Sequence, residues 1–122
     1  MCIRDRRYIN CGHNPPVILR GDDVKRLHAT ATVLGLFENW QCEVDETSIR
    51  PGDILAICTD GVFEAANADG NEFGEDGLVT ALRRGHHQSA QELLNFVIAT
   101  VKQFAHGEQA DDLTLLIAKA KP

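Results

Sequence analysis

Two acidic clusters stand where metal-assisted chemistry would want them. Asp60 follows the apolar run Asp53 to Cys58 within Cys58-Thr59-Asp60-Gly61, and Asp111-Asp112 directly precedes a second apolar run, Thr114 to Ala118. Carboxylates gathered at one edge of a sheet are hard oxygen donors. They suit Mg²⁺ or Mn²⁺, whereas zinc would want His and Cys. A plainer reading stands beside this one: Asp-Gly after a strand is a common turn, and Asp before a strand often closes a loop. Spacing alone offers a place for a metal and no reaction.

For the clusters to meet, the chain must leave one sheet edge at Asp60 and come back to it. Two helical patterns lie between them. Glu75 to Arg84 begins after Phe73-Gly74, with acidic residues in its first turn and Arg83 and Arg84 in its last, as the helix dipole favours. Ala90 to Ala105 is preceded by Ser89, with Glu92 three residues on, a capping box. Leu93, Leu94, Val97, Val101 and Phe104 recur at helical spacing, and Gly107 is expected to close the helix. This second helix is roughly 24 Å long at 1.5 Å per residue, enough to cross a small domain. If the two form an antiparallel hairpin, the last strand runs antiparallel to the central one and both carboxylate clusters share an edge.

Upstream, Arg7 to Cys11, Val17 to Arg20 and Val24 to Leu27 read as strands separated by Gly12-His13-Asn14-Pro15-Pro16 and Gly21-Asp22-Asp23, which suggests an antiparallel meander. His13 is assigned to a hairpin turn, as are Asp22-Asp23. Gln41 to Thr47 is a further strand, and Asp53 to Cys58 is rich enough in Ile and Leu to be central. Trp40 either covers the core or faces a partner. His86-His87 is expected in an exposed loop between the helices. Strands, two helices and a strand make an α+β layered domain.

The chain has 122 residues, 43% of them hydrophobic, enough for one core. Its net charge of −6 argues against binding nucleic acid or a polybasic membrane contact. The longest apolar stretch, Ile54 to Cys58, is far too short to span a bilayer, and no signal peptide is visible. Cys2, Cys11, Cys42 and Cys58 lack CxxC spacing, so buried free thiols in a reducing, cytoplasmic setting are expected. Residues 1–6 fit nothing that follows and are set apart as a non-native leader, leaving 7–122 as the domain.

Six motifs occur in order: Tyr8-Ile9-Asn10-Cys11-Gly12-His13-Asn14-Pro15-Pro16, Leu34-Gly35-Leu36, Arg50-Pro51-Gly52-Asp53, Thr59-Asp60-Gly61-Val62-Phe63-Glu64-Ala65, Glu72-Phe73-Gly74, and Ala110-Asp111-Asp112-Leu113-Thr114-Leu115-Leu116. This succession resembles the bacterial SpoIIE branch of the PPM (protein phosphatase 2C-like) Ser/Thr phosphatases, over Arg7 to about Lys119. The resemblance implies a β-sandwich flanked by helices in α-β-β-α layers, here only the C-terminal portion. It implies a dinuclear Mn²⁺ or Mg²⁺ centre and hydrolysis of phosphoserine or phosphothreonine by a metal-bound water, with no catalytic side-chain nucleophile. Asp60 and Asp111 match the late metal ligands. Asp112 and Gly61 match supporting positions, the glycine letting the loop turn tightly past the metal. Glu64 is either a support for the site or a solvated turn residue.

In this branch the implied substrate is a phosphoprotein resembling an anti-anti-sigma factor, with a sensory or receiver domain upstream. The early metal-binding motif of the Asp-x-x-Gly-His-Gly kind does not occur in these 122 residues. The fragment alone is therefore expected to be inactive and marginally stable, with exposed apolar edges. The alternative function is a non-catalytic phosphatase-like module that binds a regulatory partner.

Overall fold

The computed structural model describes residues 5–106 and 112–121. In chain order the elements are β1 (Asp5–Tyr8), β2 (Val17–Arg20), β3 (Asp23–Arg26), β4 (Asp45–Ser48), β5 (Ile54–Cys58), α1 (Asp60–Phe63), α2 (Gly74–Arg84), α3 (Ala90–Phe104) and β6 (Leu115–Lys119). Four strands form an antiparallel sheet in the order β3-β2-β5-β6, and β1 pairs with β4 in a two-stranded sheet. The fold is a mixed α+β arrangement of antiparallel sheets with helices on one face.

Alternation along β5 explains the layers. Ile54, Ala56 and Cys58 are buried on the helix side, in one cluster with Leu78, Leu82, Leu93, Val97 and Val101. Leu55 and Ile57 point the other way. With Ile18 and Ala118 they floor a cavity of about 740 Å³ whose opposite wall carries Arg6 and Tyr8 of β1 and Thr47 of β4. A strand apolar on both faces is the mark of a middle layer, and β5 has that composition.

The helices form the antiparallel hairpin that the spacing required. Phe73, just before α2, meets Phe104 at the end of α3 with ring centroids 5.5 Å apart, edge to face. Ser89 Oγ accepts the Glu92 N–H at 3.2 Å, which caps α3 as the Ser-x-x-Glu pattern indicates. The cap residue at the far end is Ala105, and Gly107 lies outside the described residues. His86 and His87 are exposed in the connection.

The expected three-stranded meander is not what forms. β2 and β3 are a hairpin turning at Gly21-Asp22, with Arg20 opposite Asp23, so Asp23 belongs to the strand. β1 instead runs from Asp5 to Tyr8, two residues earlier than expected at its start, and pairs with β4 from Asp5↔Ser48 to Tyr8↔Asp45. The segment between β1 and β2 cannot carry a ladder, because Pro15 and Pro16 have no N–H to donate. His13 accordingly lies in a connecting loop rather than a hairpin turn. Of the described cysteines only Cys58 is buried: Cys11 is half-buried and Cys42 exposed, a correction to the expectation of buried thiols, and all are free. Cys2 lies outside the described residues. Trp40 is half-buried and donates Nε1–H to the Thr32 carbonyl at 2.9 Å, so it braces its own loop.

Candidate metal-binding edge

β5 and β6 run antiparallel with Cys58 opposite Leu115, which sets the end of one strand beside the start of the other. Two hydrogen bonds fasten that junction. Thr59 N–H donates to the Thr114 carbonyl at 3.1 Å, and Thr114 N–H donates to Thr59 Oγ1 at 3.2 Å. Thr59 is the residue before α1, yet its hydroxyl accepts from Thr114 rather than from the helix. Asp60 opens α1 immediately after this clasp and is exposed. Asp112, two residues before Thr114, is also exposed. Asp111 lies outside the described residues.

α1 itself went unforeseen, since four residues show no helical period. Its presence changes the reading of Gly61. Gly61 is buried and helical, and it is not among the glycines with a positive φ, so it does not serve as a left-handed turn past the site. Glu64 ends α1; its backbone N–H donates to the Asp60 carbonyl at 2.8 Å, and it is exposed.

Sequence reasoning also missed Asn14. Its Nδ2 donates to Asp60 Oδ1 across the mouth of the sheet. The signal was present in the register: β2 pairs with β5 through Val17↔Ala56, so three residues further out Asn14 comes alongside Thr59. The loop that presents it is anchored by Asn10, which is buried. Asn10 Oδ1 accepts the His13 N–H at 2.8 Å, while Nδ2 donates to the carbonyls of His13 at 3.1 Å and Leu27 at 2.9 Å.

Cys58 lies between the core and this edge. Burial, followed by the charges of Asp60 and Glu75, pushes its thiol up to about 12. At neutral pH it is a protonated core thiol rather than a nucleophile. The Arg50-Pro51-Gly52-Asp53 turn sits at the opposite end of β5. Asp53 is 3% exposed and accepts from Arg20 Nε at 3.0 Å, Arg20 Nη2 at 2.6 Å and the Arg50 N–H at 2.8 Å. That motif is a structural clamp, away from the acidic edge.

The donors at the edge fit a hard divalent cation in kind, being carboxylate oxygens. In number they fall short: no three of His, Cys, Asp and Glu gather as a cage among the described residues. Nor is any helix among them long and apolar enough to cross a membrane.

The family model described as Stage II sporulation protein E (SpoIIE) matches residues 3–121. Protein IcfG of Synechocystis sp. (strain ATCC 27184 / PCC 6803 / Kazusa) is 32% identical over 111 residues, covering 89% of this chain and 17% of that protein. Among solved structures, the SiaA-PP2C domain of Pseudomonas aeruginosa superposes with a TM-score of 0.81 at 22% identity, over 95% of this chain and 46% of that one. The Mn-presoaked phosphatase domain of SpoIIE from Bacillus subtilis gives a TM-score of 0.63 at 22% identity, over 96% and 56% respectively. The chain thus spans less than a fifth of IcfG and about half of the SiaA domain.

Proposed function

This chain belongs to the SpoIIE family, and on that premise we propose that its parent protein is a metal-dependent phosphatase of phosphoserine and phosphothreonine. Residues 7–122 would be the C-terminal portion of the phosphatase domain, and the rest of the metal site would come from an upstream segment. Asp60 and Asp111 would hold Mn²⁺ or Mg²⁺, with Asp112 and Glu64 in support. When bound, two such ions neutralise phosphoryl oxygens and lower the pKa of water.

The observation that carries this reading is the Thr59–Thr114 clasp, which brings the chain after β5 and the chain before β6 to one edge. What the chain's own residues contribute is position. Asp60 is fixed at the first turn of α1, and Asn14 holds its carboxylate from the side. Phosphoryl transfer asks the protein mainly for such positioning and for charge neutralisation, so a nucleophilic side chain is not needed. A phosphorylated regulator resembling an anti-anti-sigma factor is the proposed substrate class, acted on in the cytoplasm under control of an upstream sensory or receiver domain. The Mn presoak of the Bacillus subtilis domain supports Mn²⁺ as the first ion to try.

The test is phosphate release by the parent protein from a phosphoserine protein substrate, before and after chelation. Activity should vanish with EDTA and return with Mn²⁺. Activity indifferent to chelation would refute the metal reading.

A further inference from the structure

We infer that Asn14 is a positioning residue for the Asp60 carboxylate, setting the direction from which Asp60 meets a divalent cation. The inference rests on the reading of Asp60 as a metal ligand. Asn14 Nδ2 donates to Asp60 Oδ1 although the two are 46 residues apart in sequence. An ionised carboxylate only accepts, so the amide must turn its NH₂ toward it. A hydrogen bond to one oxygen fixes rotation about the carboxylate's own axis and so aims the second. Partners of this kind orient metal ligands and typically contribute about 10- to 100-fold in metal affinity or activity.

Asn14 is itself held at several points. Pro15 follows it and confines its backbone to extended conformations. His13 Nδ1 lies 2.8 Å from the Asn14 carbonyl oxygen. The buried Asn10 side chain ties the loop at both the N–H and the carbonyl of His13. Beyond the prolines, Val17 enters β2 against Ala56 of β5, the strand that ends at Asp60. Asn14 and Asp60 are thus carried by neighbouring strands of one sheet, which keeps their separation from drifting. A side chain merely filling a turn would need none of this alignment.

The choice of an amide is informative. An acid at position 14 would repel Asp60 in the absence of metal and could compete for the cation in its presence. An amide orients without adding charge.

The experiment is Mn²⁺ titration of the parent protein, followed by the electron paramagnetic resonance signal of the free ion, for wild type, Asn14→Ala, Asn14→Leu and Asp60→Asn. Thermal midpoints of the metal-free proteins serve as a folding control. Asn14→Leu keeps the side-chain size and removes the donor without adding charge, so it remains decisive if Asn14→Ala loosens the turn. Both Asn14 variants should bind Mn²⁺ about 10- to 100-fold more weakly, with phosphate release recovering toward wild type at saturating Mn²⁺. Unchanged Mn²⁺ affinity in either folded variant would overturn the inference. If Asp60→Asn leaves Mn²⁺ binding intact as well, the metal assignment fails; if it abolishes binding while both Asn14 variants bind as tightly as wild type, only the role of Asn14 fails.

Discussion

Asp53 and Asp60 stand at the two ends of β5 and meet different surroundings. Around Asp53, burial raises the carboxyl pKa, but the hydrogen bonds from Arg20 and the Arg50 N–H, with both guanidinium charges, outweigh it and the net shift is downward. A carboxylate depressed in the folded state stabilises the protein above its unfolded pKa. That contribution disappears as pH falls from the ordinary carboxylate range through the lowered folded value. Arg20→Met should therefore lower stability at pH 7 by about 2 kcal/mol and flatten its acid dependence, measured by urea unfolding of the parent protein from pH 7 to pH 3. A wild-type acid slope retained in the variant would count against the clamp. A second check is thiol reactivity at pH 8: exposed Cys42 should react with an aromatic disulfide reagent in the native state, and Cys58 only on unfolding. Asp60 and the Thr-Asp-Gly motif were legible as residues, but Asn14 was not, because its partner is chosen by strand pairing rather than by any neighbour in sequence.

At the scale of elements, what was local was readable. The α3 stripe of Leu93, Val97 and Val101 is buried as the helical spacing indicated, and the Ser89 cap forms. Leu93→Ala should cost about 2–5 kcal/mol and Ser89→Ala about 1 kcal/mol, whereas Leu116→Ala on the exposed face of β6 should stay within about 0.5 kcal/mol. Denaturant midpoints give all three. The β1–β4 pairing was unreadable for the opposite reason. Asp-Arg-Arg-Tyr carries no apolar alternation, and its partner is far along the chain. A two-stranded sheet is marginal by itself. Amide protons of β1 and β4 should accordingly exchange much faster than those of β2 and β5, which lie inside the four-stranded sheet. Equal protection in both sheets would show that the pair is held by more than its own ladder.

The described residues form one helical layer, one four-stranded sheet, and a cavity of about 740 Å³ beneath it with β1 and β4 beyond. Leu55 and Ile57 floor that cavity, and Thr47 Oγ1 is buried near it with no hydrogen-bond partner among the described residues. Layering was legible from the apolar run of β5, since only a strand covered on both faces is written that way. How the second layer is completed was not, because about half of the comparable SiaA domain has no counterpart here. These 122 residues on their own should bind a hydrophobic dye and unfold at lower urea than the parent domain, an expectation read from dye fluorescence and the unfolding midpoint. Asp60 is proposed to hold a catalytic metal. This role is tested most directly by phosphate release across a range of Mn²⁺ concentrations for the parent protein and its Asp60→Asn variant. Asp60→Asn should lose more than the roughly 100-fold that a supporting residue would give, in a protein whose metal-free unfolding midpoint is unchanged. Equal rates for the two proteins at every Mn²⁺ concentration would contradict it.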